Sequence, residues 1–465
     1  MYLPHDLSND VRYNGLMNSL KRLFSPKSIV VVGASSKKGK VGYELLKNLV
    51  DKGYDGEIYG LNPKGGEAFN IKFYTRVEEL PEDIDLALFA TSGVIAIKVL
   101  ESLAMKGLGS AIIYASGFAE IGNEDMQYRL TRIINDYGVR IIGPNCAGIV
   151  NNLENIYASF VPGVRKGFIS MASQSGAFSA VVTNYLGLKG IGLSSLATLG
   201  NKVDVDEADF LRYFSRYEDV KSFILYIEGL KPKEGRELAK TIKEIHKPVV
   251  ILKGGSTEGV ERAVYSHTAS LTGDFKIIEA ILEGVGAYFT HDYIELADVA
   301  EATAYLNPPI GGRVGIVTNG GGPGVIAVDH LHKLGIKLDK TPRQVIEKLD
   351  HLKPYMVRIN PIDLTADGNE DYYYHTIRAL LEADWPDIIY TLHVPPSFID
   401  PYKVAKAVGD AYIESNMTKP IVPLFMGVEI KKIADILHNY GLPSPTTHRS
   451  ASMAVDYLIR LGRLT

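Results

Sequence analysis

The chain has 465 residues, a length that suggests about three domains of ~150 residues each. With 46% hydrophobic and 22% charged residues, a large core needs no disulfide staples, and the single cysteine, Cys146, excludes an intrachain disulfide or a multi-cysteine zinc site. A net charge of −4 argues against a nucleic-acid binder, no apolar run approaches the ~20 residues that cross a bilayer, and the polar start, Met1 to Asn18, lacks the order of a signal peptide; a cytoplasmic protein is expected.

The β-branched run 28–32 predicts a buried strand. Gly33-Ala34-Ser35-Ser36 follows, then a helix over 41–50 with Val41, Leu45, Leu46 and Leu49 at helical spacing. Further strands are predicted at 57–61, 86–90, 111–114 and 140–142, with helical patterns at 95–105 and 126–137. A second series has strands at 167–171, 192–197, 222–227 and 248–253, with helices at 207–214 and 234–245. The third follows the Pro/Gly break 307–312, with strands at 313–318, 387–393 and 420–425. Apolar strands alternating with helices predict an α/β chain of parallel, doubly wound sheets. The expected division is an N-terminal extension 1–20, domains 21–144 and 145–300, a linker 301–312 and a domain 313–465.

A strand–glycine turn–helix device recurs at Gly33, Ser175 and Gly320. In the first, Gly33, Gly39 and Gly42 let backbone amides approach a phosphate in front of a helix N-terminus. The spacing is not that of the dinucleotide fingerprint, and Asn62-Pro63-Lys64 stands where an acidic residue would bind ribose. A lysine there suits an extra ribose phosphate, as in coenzyme A or NADP; a plain turn with a solvated lysine is the structural alternative. In the second, Ser173-Gln174-Ser175-Gly176 is either an anion site or a simple N-cap. In the third, Gly320-Gly321-Gly322 precede Pro323, which suits a first helical turn, and the run favours close backbone approach to a ligand.

Glu228 ends a predicted strand and faces the edge where α/β ligands bind; a solvated glutamate is the alternative. Asp204, Asp206 and Glu207 read as a capped helix start in preference to a metal site, so no metal ligands are assigned. His267, in Ser266-His267-Thr268-Ala269-Ser270, stands among small residues and fits either a covalent nucleophile or a surface-loop histidine.

Together Val31-Val32-Gly33-Ala34-Ser35, Asn62-Pro63-Lys64-Gly65-Gly66, Ser116-Gly117-Phe118, Gly143-Pro144-Asn145-Cys146, Ser173-Gln174-Ser175-Gly176-Ala177, Gly200-Asn201-Lys202, Ser266-His267-Thr268, Thr318-Asn319-Gly320-Gly321-Gly322 and Asn360-Pro361-Ile362-Asp363-Leu364-Thr365 resemble the alpha subunits of ADP-forming acetyl-CoA synthetases, in the succinyl-CoA synthetase superfamily. The resemblance implies a Rossmann-like CoA-binding domain followed by two flavodoxin-like domains. It implies that His267 is transiently phosphorylated with Glu228 as its carboxylate partner. Gln174, Ser175, Gly176, Gly320, Gly321 and Gly322 would bind the phosphoryl group, and Gly33, Ala34, Ser35, Ser36, Gly39, Lys64, Thr91, Ser92 and Asn145 would bind CoA. The acyl pocket would lie near 159–163. The implied reaction is acyl-CoA + ADP + phosphate ⇌ acid + CoA + ATP. No ATP-grasp region is evident in the chain, so ADP with Mg2+ is expected on a separate ATP-grasp beta subunit of an alpha2beta2 assembly. Ala269 departs from the glycine often found at that position in the family. A CoA-binding regulatory protein of the same fold that has lost catalysis is the alternative, and an NADP-dependent dehydrogenase rests only on the first loop and Lys64.

Overall fold

The structure, a computed structural model, describes residues 11–255, 275–350, 352 and 356–464. Its strands form three sheets. The first is seven-stranded: β1 (Ser28–Val32), β2 (Glu57–Leu61), β3 (Glu67–Ala68), β4 (Ile71–Tyr74), β5 (Leu86–Phe89), β6 (Ser110–Ile113) and β7 (Arg140–Ile142), in the order β3-β4-β2-β1-β5-β6-β7. Only the β3–β4 pair is antiparallel. The second sheet holds β8 (Gly148–Asn151), β9 (Ile156–Ser159), β10 (Lys166–Ser173), β11 (Leu193–Thr198), β12 (Ser222–Ile227), β13 (Val249–Lys253) and β14 (Ala287–Thr290), in the order β14-β13-β12-β10-β11-β8-β9. The third sheet joins β15 (Val314–Thr318), β16 (Ile362–Asp363), β17 (Ile388–His393) and β18 (Ile421–Phe425) in the order β16-β15-β17-β18, all parallel.

The central strands β1, β5, β11, β15 and β17 are buried along nearly their whole length, because helices cover both faces of a parallel sheet. That explains their unbroken apolar runs. The sheets are mostly but not wholly parallel: β8 runs antiparallel to both β9 and β11, at the edge of the second sheet. These short strands carry no long apolar run and are not among the predicted elements.

Two further differences bear on how the parts are joined. Helix α1 (Val11–Phe24) occupies half of the expected N-terminal extension. It buries Met17, Leu20, Leu23 and Phe24, and the Phe24 ring packs edge-on against Phe210 and Phe214 of α6 (Glu207–Phe214). The helix Tyr293–Tyr305 runs into the expected linker 301–312 and is buried. It carries Asp298 and Glu301, which hold the fully buried Lys189 that caps the C-terminus of α5 (Gly176–Leu188), with Lys189 Nζ 2.6 Å from Asp298 Oδ1. Thr446 and Ser450 also donate to Asp298, and Ser444 donates to Glu301, so the cluster ties the second sheet to the third. Its charges are compensated only together; removing one partner from such a cluster typically costs about 3–5 kcal/mol. The C-terminal helix His448–Leu464 completes the join: Tyr457 Oη accepts from the Val249 amide at 2.9 Å and donates to the Gly286 carbonyl at 2.9 Å.

Candidate active site at three sheet edges

In an open parallel sheet the ligand crevice lies beyond the carboxyl ends of the strands, where the winding reverses. Each of the three loops singled out in the sequence sits at such a place: Gly33 follows β1, between β2 and β5; Ser175 follows β10, between β11 and β12; Gly320 follows β15, between β16 and β17.

In the first crevice Gly33 has φ +86°, and a Cβ there would lie 2.7 Å from the Ala90 carbonyl oxygen and 2.8 Å from Thr91 Cγ2. A Cβ on Gly42 would lie 2.0 Å from the Gly33 carbonyl oxygen, so α2 (Val41–Asp51) presses directly on the turn. Both amides at Gly33 and Ala34 are spent on the Leu61 carbonyl, and the Gly39 amide is capped by Glu44 at 2.9 Å. The Ser35 and Ser36 amides have no acceptor among the described residues. Asn62 braces the loop from the far side: its Nδ2 donates to the Ala34 carbonyl at 2.7 Å and its Oδ1 accepts from the Lys64 amide at 2.9 Å. Lys64 is exposed and in no ion pair among the described residues. Thr91 Oγ1 is buried without a hydrogen-bond partner, and Ser92 precedes α3 (Gly93–Ala104) without capping it.

In the second crevice Ser175 caps α5 through Phe178 N at 3.2 Å, while Ser173 Oγ donates to the Ser175 carbonyl. The Gly176 and Ala177 amides of the first turn have no acceptor among the described residues. A capped helix and an anion-accepting helix N-terminus therefore coexist here. Gln174 is differently employed. It is buried; its Oε1 accepts from the Glu228 and Gly229 amides at 2.9 and 3.0 Å, and its Nε2 donates to Glu207 and to the Gly229 carbonyl. Lys202 Nζ, also buried, closes the network on Glu207, Glu234 and the Gly229 carbonyl. The side chain of Gln174 thus fixes the strand end that carries Glu228. Tyr226 hydrogen-bonds Glu228, and burial followed by the Glu228 charge pushes its phenol up to about 12, so it remains a donor at neutral pH. Tyr226 also stacks on Phe178 at 4.1 Å. Lys253 lies beside Glu228; burial lowers its pKa and the Glu228 charge opposes that. Neither Tyr226 nor Lys253 was singled out in the sequence, although Lys253 ends β13 and Tyr226 is the last residue but one of β12, at the same edge as Glu228.

His267 and its motif lie outside the described residues, as does everything from 256 to 274. The chain enters that segment from Gly254 and Gly255, and a Cβ on Gly254 would lie 2.4 Å from Tyr226 Oη and 3.4 Å from Glu228 Cγ.

In the third crevice Gly320 caps the helix Gly321–Lys333 without a side chain, Thr318 Oγ1 ties the turn, and Asn319 clasps the Val394 backbone through both side-chain atoms. A Cβ on Gly322 would meet nothing within 4 Å, and one on Gly321 only Asp363 Oδ2 at 3.4 Å. Their amides have no acceptor among the described residues.

The first two crevices meet. Gly176 is so close to Ala147 that a Cβ would lie 2.8 Å from the alanine methyl. Asn145, with φ +59°, leads into Ala147 after the cis Gly143–Pro144 peptide, and Asn145 Nδ2 donates to Asn201 Oδ1 at 3.3 Å. Ser159 and Phe160 both bind the Ala147 carbonyl, which puts the start of the 159–163 segment at the same junction. Cys146 is half-buried there, and desolvation of the thiol pushes it up to about 12, so it is no nucleophile. No group of three or more His, Cys, Asp or Glu among the described residues is placed to hold a metal ion, and no described helix is long and apolar enough to cross a membrane.

Known proteins share this arrangement. Residues 27–152 match a CoA binding domain, and residues 166–303 match the succinyl-CoA ligase-like flavodoxin domain. The chain is 35% identical over 455 residues to the alpha subunit of acetate–CoA ligase (ADP-forming) I of Pyrococcus furiosus, covering 96% of this chain and 98% of that one. The chain belongs to the ADP-forming acetate–CoA ligase family. It is 36% identical to the acetate–CoA ligase (ADP-forming) of Methanocaldococcus jannaschii, spanning 63% of that longer chain. The structure superposes with a TM-score of 0.90, at 32% identity, on the dinucleotide-forming acetyl-coenzyme A synthetase 1 of Ca. Korarchaeum cryptofilum solved with phosphate and ADP, covering 96% of this chain and 97% of that one. The members of this ligase family are acid–CoA ligases, and the α/β fold with its CoA-binding and flavodoxin-like domains is theirs.

Proposed function

We propose that this chain is the alpha subunit of an ADP-forming acetyl-CoA synthetase that makes ATP from acetyl-CoA, ADP and phosphate through a phosphohistidine at His267. The observation that carries the reading is the meeting of the first two crevices at Ala147 and Gly176, which puts the turn after β7, at the carboxyl edge of the first sheet, against an anion-accepting helix N-terminus. Residues 21–144 hold CoA, 145–300 carry the phosphoryl loop, 301–312 connect, and 313–465 supply the second amide cradle.

In the first step a phosphate oxygen attacks the thioester carbonyl carbon, the C–S bond breaks, and CoA leaves as the thiol with a proton from phosphate. In the second, a ring nitrogen of His267 attacks phosphorus and acetate leaves with the bridging oxygen. Glu228 holds the other ring nitrogen, which fixes the tautomer and raises nucleophilicity. In the third, the terminal oxygen of ADP takes the phosphoryl group from nitrogen. Such transfers need positioning and charge stabilisation above all, which the amides of Gly176, Ala177, Gly321 and Gly322 supply, the Ser175 amide being held by Ser173 Oγ at 3.1 Å. Ser35, Ser36, Lys64, Thr91, Ser92 and Asn145 bind CoA, with Lys64 on its ribose phosphate.

ADP and Mg2+ belong to an ATP-grasp beta subunit in an alpha2beta2 assembly in the cytoplasm. Relatives that are separate alpha subunits and relatives that are longer single chains support a missing partner region. The test is ATP formation from acetyl-CoA, ADP and phosphate with that partner present. His267→Ala abolishes ATP formation and retains CoA binding; Glu228→Gln slows turnover and leaves CoA affinity unchanged. Turnover in His267→Ala contradicts the mechanism.

A further inference from the structure

The Ser116-Gly117-Phe118 motif follows β6, at the same carboxyl edge as the CoA crevice. Two residues on, Glu120 folds its carboxylate back over it. Glu120 Oε1 accepts from the Gly117 amide, and both carboxylate oxygens lie 3.2 Å from the Phe118 amide. Gly117 has φ +104°, which turns the two amides toward one acceptor. A carboxylate so placed is an ordinary local cap, and alone it carries no function.

It is not alone. Asn201, in the turn after β11 of the second sheet, donates its Nδ2 to Glu120 Oε2. Asn201 is 6% exposed, its Oδ1 accepts from Asn145 Nδ2, and its amide donates to the Pro144 carbonyl at 2.9 Å. A Cβ on the preceding Gly200 would lie 2.4 Å from the Asn145 carbonyl oxygen. Two residues before Asn201, the Leu199 amide donates to the Ser173 carbonyl at 2.7 Å, and Ser173 Oγ holds the Ser175 carbonyl. An unbroken path of hydrogen bonds and short backbone therefore runs from the rim of the CoA crevice to the cap of the phosphate-binding helix. Its single cross-sheet contact through a charged group is Glu120 with Asn201.

We infer that Glu120 and Asn201 are positioning residues that couple CoA occupancy of the first crevice to the order of the phosphate loop in the second. The inference rests on the CoA reading of the first crevice. A charged acceptor facing a buried carboxamide donor has a fixed polarity, because Asn201 Oδ1 is already committed to Asn145. Asn201→Asp puts two carboxylates face to face and breaks the bridge. Glu120→Gln with Asn201→Asp restores it in reverse: the glutamine oxygen accepts from Gly117 and Phe118, its amide donates to the carboxylate introduced across the sheet boundary, and Asn145 still donates to that same carboxylate.

The experiment is hydrogen exchange of the full chain with and without CoA, read in peptides covering 174–188, beside CoA affinity and melting temperature. In the wild type CoA slows exchange there by about fivefold or more. Asn201→Asp binds CoA with the wild-type affinity and loses that response, and the double variant regains it. Wild-type protein that binds CoA without any response at 174–188, full protection in Asn201→Asp, or a double variant no better than the single one overturns the inference. Wild-type protein that does not bind CoA overturns the functional reading as well, and is distinguished by the affinity measurement. Loss of CoA affinity or of melting temperature in Asn201→Asp, unrestored in the double variant, assigns the contact a structural role only and also overturns it.

Discussion

A side chain on Gly33 or Gly42 in the first crevice would run into the chain's own backbone, whereas in the third one on Gly322 would meet nothing within 4 Å and one on Gly321 only Asp363 Oδ2 at 3.4 Å. Gly33 has a left-handed backbone and touches Ala90 and Thr91, and Gly42 touches Gly33 itself. Neither Gly321 nor Gly322 has a left-handed φ, and no neighbour crowds the place of a side chain. Gly321 and Gly322 open their helix, and glycine is a poorer helix former than alanine. The first pair is explained by the fold; the second pair makes sense only if something outside the fold approaches the backbone. The same residue type thus marks a folding constraint in one loop and room for a ligand in the other.

The comparison fails most visibly at Gly42. Gly42→Ala places a methyl 2.0 Å from a backbone oxygen that has nowhere to go, and a loss of about 3 kcal/mol is expected, read as a lower melting temperature of the chain. A variant as stable as the wild type breaks the distinction. Gly322→Ala tests the opposite side: stability stays within about 0.5 kcal/mol of the wild type, and ATP formation falls by about tenfold, because the methyl obstructs an amide meant for phosphate. Lost stability without lost turnover reverses the assignment. Lys64→Ala sharpens the first crevice: the fold is indifferent to an exposed lysine outside any ion pair, and CoA affinity falls about fivefold in calorimetry, with no such loss for dephospho-CoA.

The strands legible in the sequence are parallel ones whose apolar runs alternate with helical patterns. β1, β2, β7 and β12 lie where their apolar runs predict them, the other predicted strands shift by a residue or two at their ends, and β3, β4, β14 and β16 are not among the predicted elements. The antiparallel edge strands β8 and β9 are four residues each and obey no clear period. Helix α1 was unreadable for another reason: its apolar residues find their partners in distant segments, in β6 and β7 and in α6 nearly two hundred residues on. In the site, the places of the three loops were legible because a strand followed by small residues and a helix is a local pattern. What Gln174 does was not, since its partners Glu207, Glu228 and Gly229 come from other segments. The same holds for Glu120, whose meaning depends on Asn201 across the sheet boundary. Local devices can be read from the chain, and braces between distant segments cannot.

The central claim is that the phosphoryl group passes through His267. The most direct test is intact-protein mass spectrometry at alkaline pH after incubating the chain with acetyl-CoA and phosphate, and separately with the ATP-grasp partner and ATP. The account predicts one acid-labile phosphoryl adduct on the wild type and none on His267→Ala. An adduct that persists in His267→Ala, or no adduct under either condition, contradicts it.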